Sequence, residues 1–228
     1  MNLKLLHIFL LSTAGTFLLC TPFINTVELA NGLVTGKMCW FHLAMLFFSV
    51  CVFFVMLTKK GTVIAFTFSD PLVLFFAGGV LITYKWNLNP EPEKLIFAGQ
   101  LVILWFLLRY VLTAYREFKF FFLFVLMFTG LIEAVWGMQQ LHGYSHSNHS
   151  LFRLTGSFFN PGPYSGYIAV ILPVCLWTAL RFQKGMHYFA WICVGAILIV
   201  LPAGMSRSAW IAAVVACGWV YWTERIGW

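Results

Sequence analysis

The chain has 228 residues, of which 61% are hydrophobic, 19% aromatic and only 9% charged, with a mean hydropathy of +0.88. A soluble domain of this size cannot hide so much apolar surface, and disordered chains contain far less of it. Both classes are excluded, which leaves a polytopic membrane protein. The formal charge of +7 comes from basic residues standing singly or in pairs between apolar runs, the pattern of topology signals and not of a nucleic-acid-binding stripe, so no nucleic-acid partner is expected.

A helix needs about 20 apolar residues to cross the hydrocarbon core. Residues 5–23 form the first predicted span, closed by Pro22. Lys4 and the apolar run after it resemble a signal sequence. However, Leu19 stands before Cys20 where a lipoprotein needs a small residue, and no A-x-A site follows, so the segment reads as an uncleaved helix. Residues 25–37 read as a loop and 38–58 as a second span ending at Lys59-Lys60-Gly61. Residues 62–68 alternate Thr with apolar side chains, so 61–69 is expected to be an interfacial, strand-like segment. Asp70-Pro71 then reads as N-cap and first helical residue of a third span reaching Trp86. The competing reading is a long helix kinked at Pro71, with Asp70 deep in the membrane and functional.

Residues 87–94 are a polar, proline-rich loop, 95–114 a fourth span and 120–141 a fifth. A histidine-bearing polar stretch, 142–163, leads into a sixth span that ends at 181–184. Residues 188–203 and 209–223 make a final hairpin around 204–208. The expected fold is all-α with about eight transmembrane helices in a single domain, 1–228. With the N-terminus cytoplasmic, one side carries Lys4, Lys59, Lys60, Arg116, Lys119, Arg181, Lys184 and Arg225. The other carries Lys37, Lys85, Lys94, Arg153 and Arg207. This bias puts the histidine loop outside.

Arg153 and Arg207 are the two arginines on the side where positive charge is least expected. Arg153 opens R-L-T-G-S-F-F-N-P-G-P before a helix start, and Arg207 lies in M-S-R-S-A-W at the head of another. A helix N-terminus with a guanidinium fork attracts phosphate, because orphan N–H groups and arginine donors converge on the anion. The bland alternative is a pair of snorkelling arginines.

The segment R-x-x-G-S-F-F-N-P (153–161), followed some fifty residues later by S-R-S-A-W (206–210), resembles the O-antigen ligase/polymerase superfamily of bacterial envelope glycosyltransferases. The Ser-Asp-Pro start of the third helix and Leu107-Leu108-Arg109 in the fourth fit more weakly. The resemblance implies a GT-C-like bundle in the bacterial inner membrane. It also implies metal-free, cofactor-free transfer of a glycan from undecaprenyl diphosphate to a hydroxyl of lipid A-core or of a growing polysaccharide. Arg153 and Arg207 would grip the diphosphate, with Gly156, Asn160, Ser206 and Glu133 as substrate contacts. Guanidinium contacts to a departing diphosphate strengthen as its charge develops, which favours the transition state.

In that family further helices and a large periplasmic loop, with a histidine proposed as base, follow the S-R-[GS]-A helix. Here the sequence stops at Trp228. The expectation is the N-terminal portion of a longer protein, or a truncated copy without its general base. His142, His146 and His149 offer a substitute base or metal ligands, although the intervening Gly and Ser residues argue against a rigid ligand helix. Six cysteines without a C-x-x-C pair suggest neither disulfides nor zinc. Glu133 shares a helix face with Gly137 and Gln140; it reads either as a group serving the arginines or glycan, or as an interhelical hydrogen-bonding residue. Arg109 reads as a snorkelling anchor. The rival functions are a transporter or flippase for an anionic lipid or solute, and a non-catalytic remnant.

Overall fold

A computed structural model describes residues 3–26, 32–59, 61–62, 64–87 and 91–225. The secondary structure of these residues is helical, with no strand among them: α1 (Leu3–Leu19), α2 (Gly32–Thr58), α3 (Ser69–Trp86), α4 (Pro92–Ala114), α5 (Arg116–Leu141), α6 (Pro161–Arg181), α7 (Gly185–Val200) and α8 (Arg207–Arg225). Short 3-10 turns cover Thr21–Phe23 and Pro202–Gly204. Five stretches are long and apolar enough to cross a membrane: α2, α4, α5, α6 and Gly185–Gly204. The chain is therefore an all-helical membrane protein. Its outward apolar side chains, such as Phe9, Leu43, Phe75 and Val214, are what helices facing lipid require.

The chain divides into two compact units, Met1–Leu18 with Cys39–Phe121, and Leu19–Met38 with Phe122–Trp228. The first has a small core of Leu18, Phe41, Ala44 and Met45 with Phe97 and Leu104 against it. The second has the larger core, where Met127 and Ala134 meet Tyr164, Ile168 and Cys175, with Val194, Ile197 and Ala213 closing it. There α6 packs against both α7 and α8. Small residues permit the close approach: a Cβ on Gly130 would meet Ile171 at 2.8 Å.

Three expectations need correction. Helix α2 begins at Gly32, inside the stretch read as a loop. Two glycines lowered its apparent propensity, but Thr26 lies against both of them, and its hydroxyl donates to Gly32 O at 3.3 Å. The described part of 61–69 forms no strand and is irregular up to the α3 start. Asp70 is not the N-cap, because α3 starts at Ser69. Its carboxylate reaches back instead, accepting from Thr67 N at 2.7 Å and Thr67 Oγ1 at 3.2 Å, as the acid of a capping box does.

Asp70 is completely buried, and its other oxygen accepts from Trp105 Nε1 at 3.0 Å and from Arg109. Arg109 also donates to Ala65 O at 2.6 Å. It is thus the partner of a buried acid and not a snorkelling anchor. No local pattern announces a pair 39 residues apart.

Candidate functional site

The site is built on the face of α5 that carries Glu133, Gly137 and Gln140. At 3.6 residues per turn these stack over two turns, and the structure docks the loop before α6 onto them. Gln140 Oε1 accepts from Thr155 N at 2.9 Å and Gly156 N at 2.8 Å. Gln140 Nε2 donates to His146 O and Gly156 O, both at 3.1 Å. About two turns away on α5, Glu133 Oε2 accepts from Ser157 N at 3.0 Å. Three consecutive backbone N–H groups are therefore held by two α5 side chains.

Glycine is required twice here. Gly156 has φ +54°, and a Cβ there would run into Glu133 Oε2 and the Tyr164 ring. A Cβ on Gly137 would run into the Tyr164 hydroxyl, which donates to Glu133 O at 3.2 Å. Asn148 ties the rest of the loop in, donating from Nδ2 to Gly156 O at 3.2 Å and Phe158 O at 3.0 Å.

Glu133 is fully buried, and its Oε1 has no hydrogen-bond partner among the described residues. Lys37 lies close enough for the two charges to act on one another. The Lys37 ammonium donates to Pro22 O and to Ile24 O (2.9 Å) and stands 5.5 Å from the Phe158 ring centroid. Ser157 Oγ donates to the same Pro22 O at 2.6 Å. Lys37, which sequence reading treated as a topology signal, is therefore built into the site. Its spacing from Glu133 in the chain gave no hint of this.

Arg153, on the loop so fixed, is exposed and lines a polar cavity of about 610 Å³ together with His142, His146 and His149. His142 Nδ1 lies 3.0 Å from Met138 O, and His149 Nδ1 accepts from Leu151 N at 3.1 Å. The two rings are thus turned to separate backbone partners, and no group of three metal-ligating side chains forms among the described residues. Asn160 caps α6, its Oδ1 accepting from Gly162 N at 3.0 Å.

Arg207 opens α8 and is also exposed. The preceding turn is pinned to α6, Ser165 Oγ donating to Gly204 O at 3.0 Å, while Met205 takes a left-handed φ of 54°. Ser206 faces Ser208, their hydroxyls 3.3 Å apart. Since Ser165 is on the first turns of α6, this pin brings the α8 start to the same end of the unit as the Arg153 loop. Arg207 does not line the Arg153 cavity. Neither guanidinium has a hydrogen-bond or ion-pair partner among the described residues. An apolar groove of about 420 Å³ runs between α6, α7 and α8, walled by Leu172, Trp191, Leu198, Pro202, Trp210 and Val214 among others, and Arg207 itself does not line it.

No protein-family model, curated protein or solved structure matches the chain. The functional reading therefore rests on the site itself and on the motifs it contains.

Proposed function

We propose that the chain is a membrane glycosyltransferase of the O-antigen ligase/polymerase kind, with eight crossings, a GT-C-like bundle and a cytoplasmic N-terminus in a bacterial inner membrane. In this reading it moves a glycan from undecaprenyl diphosphate to a hydroxyl of lipid A-core or of a polysaccharide at the periplasmic face. The observation that carries it is the arrangement at the start of α8. There an unpartnered arginine, Arg207, stands about one helical turn before Trp210, which walls an almost wholly apolar groove. That combination suits a ligand with an anionic head and a hydrocarbon tail.

The rigidly held loop supports the same reading. Glu133 and Gln140 fix the segment behind Arg153, so a second guanidinium is presented at the same end with little freedom left to lose. Glu133 then acts as a positioning residue, buried behind the loop that carries Arg153. The polar, histidine-lined cavity beside Arg153 would receive the acceptor.

The test is mass spectrometry of undecaprenyl-diphosphate-linked glycans extracted from cells lacking the gene. Accumulated long glycans fit a ligase, and single repeat units a polymerase. An unchanged pool in a running pathway removes the proposal. Arg207→Lys should fail almost as badly as Arg207→Ala, because an ammonium cannot make the bidentate contact.

A further inference from the structure

One end of the first unit holds a second polar cavity, of about 570 Å³, at the start of α1, the ends of α2 and α4 and the start of α5. Lys4, His7, Lys59, Tyr115, Arg116 and Glu117 are on its wall. The positive-inside rule explains why such residues lie on one side of a membrane. It does not explain why they converge on one cavity.

The neutral hydroxyl and imidazole groups of this wall satisfy one another. Thr58 Oγ1 donates to Phe54 O at 2.8 Å, so it accepts from His7 Nε2, also at 2.8 Å. His7 Nδ1 is then the acceptor for the Tyr115 hydroxyl at 2.5 Å. This chain leaves His7, which is 2% exposed, as the neutral Nε2–H tautomer with both nitrogens used.

The cations are not matched in this way. Lys4 is paired with Glu117 at 2.6 Å. Lys59 donates to Ala114 O, the last carbonyl of α4, and its ammonium stands 4.1 Å from the Tyr115 ring centroid. Arg116 packs 5.6 Å from the Phe120 ring centroid. Neither Lys59 nor Arg116 has a carboxylate partner among the described residues. Three cations, Lys4, Lys59 and Arg116, thus share the wall with one carboxylate, Glu117, which is ion-paired to Lys4 and also acts on the Lys59 charge. The net positive charge left at a membrane boundary calls for an anion. Leu3, on the wall of the cavity, is exposed and offers an apolar contact to the acyl chains of a bound lipid.

We propose that this cavity is a phosphate-binding site, occupied by the headgroup of an anionic phospholipid, with Lys59 and Arg116 as its principal ligands and Lys4 at the rim. The site is separate from the one assigned to glycan transfer and does not depend on that assignment.

Native mass spectrometry of the full chain in mild detergent tests it, with phosphatidylglycerol titrated against phosphatidylcholine of the same acyl length. Retention of phosphatidylglycerol over phosphatidylcholine is expected, falling by about 10-fold in Lys59→Gln/Arg116→Gln and largely restored in Lys59→Arg/Arg116→Lys. Unfolding temperatures of the variants, measured without added lipid, show whether each still folds; single Lys59→Gln and Arg116→Gln variants serve if the double does not. Inorganic phosphate in the millimolar range identifies the source. If it does not displace the lipid, the headgroup is the ligand. If it displaces the lipid at equal affinity, the site takes the bare anion and the lipid assignment is overturned. No preference in the parent, or one that survives the Gln variants, overturns the site.

Discussion

Among the described residues two carboxylates are buried, one in each unit, and their surroundings differ. Asp70 has every direction filled: Thr67 supplies two donors, Trp105 one and Arg109 a guanidinium. Glu133 is as deeply buried, yet only one of its oxygens is hydrogen-bonded, to Ser157, and its nearby cation, Lys37, makes no ion-pair contact with it. A saturated ion pair has no capacity left for a ligand and acts as a structural lock. A buried carboxylate with one oxygen open costs stability that the rest of the fold has to offset, as sites of function do. The transporter reading needs a path of open charges through the bilayer, and the consumption of Asp70 by Arg109 removes one of the two groups on which it could rest.

The contrast can be broken by substitution. Arg109→Leu would strand the Asp70 charge and should cost about 3–5 kcal/mol, read as a large fall in the unfolding temperature of the purified protein. Gly156→Ala asks a Cβ to occupy the place of Glu133 Oε2 in a left-handed backbone. It should cost about 2–4 kcal/mol and expose residues 142–160 to protease before the helices melt. Gly137→Ala pushes on Tyr164 instead, for about 1–3 kcal/mol. The sharpest comparison is one substitution made at both acids. Asp70→Asn should lower the unfolding temperature, because a neutral amide loses the ion pair and presents an N–H group to other donors. Glu133→Gln should leave stability within about 1 kcal/mol of the parent, since the amide oxygen still accepts from Ser157, the buried carboxylate charge is gone and Lys37 keeps its carbonyl partners. Equal losses at the two positions would erase the distinction drawn here.

Sequence reading found much of this through periodicity and punctuation. Proline at 71 and the end of the polar stretch at 163 marked helix starts to within two residues, whereas Asn160, read as a substrate contact, turned out to cap α6. The 3.6-residue spacing put Glu133, Gly137 and Gln140 on one face, which proved to be the face that docks the loop. What escaped was non-local. Arg109 looked like an anchor because its partner lies on another helix, and Lys37 looked like a topology charge because the carbonyls it serves are at Pro22 and Ile24. The start of α2 was missed because two glycines suggest a loop until Thr26 is seen filling the space beside them.

Gln140 has one more consequence. Its amide gives and takes hydrogen bonds at once, as a peptide unit does, so it stands in for a short length of backbone that α5 cannot supply. A glutamate there would set a charge against two carbonyls, a lysine would lack the acceptor, and an asparagine would fall one methylene short. Because it reads mainly backbone, Gln140 ties α5 to the path of the chain at 155–156 and leaves the loop's neighbouring side chains free to vary.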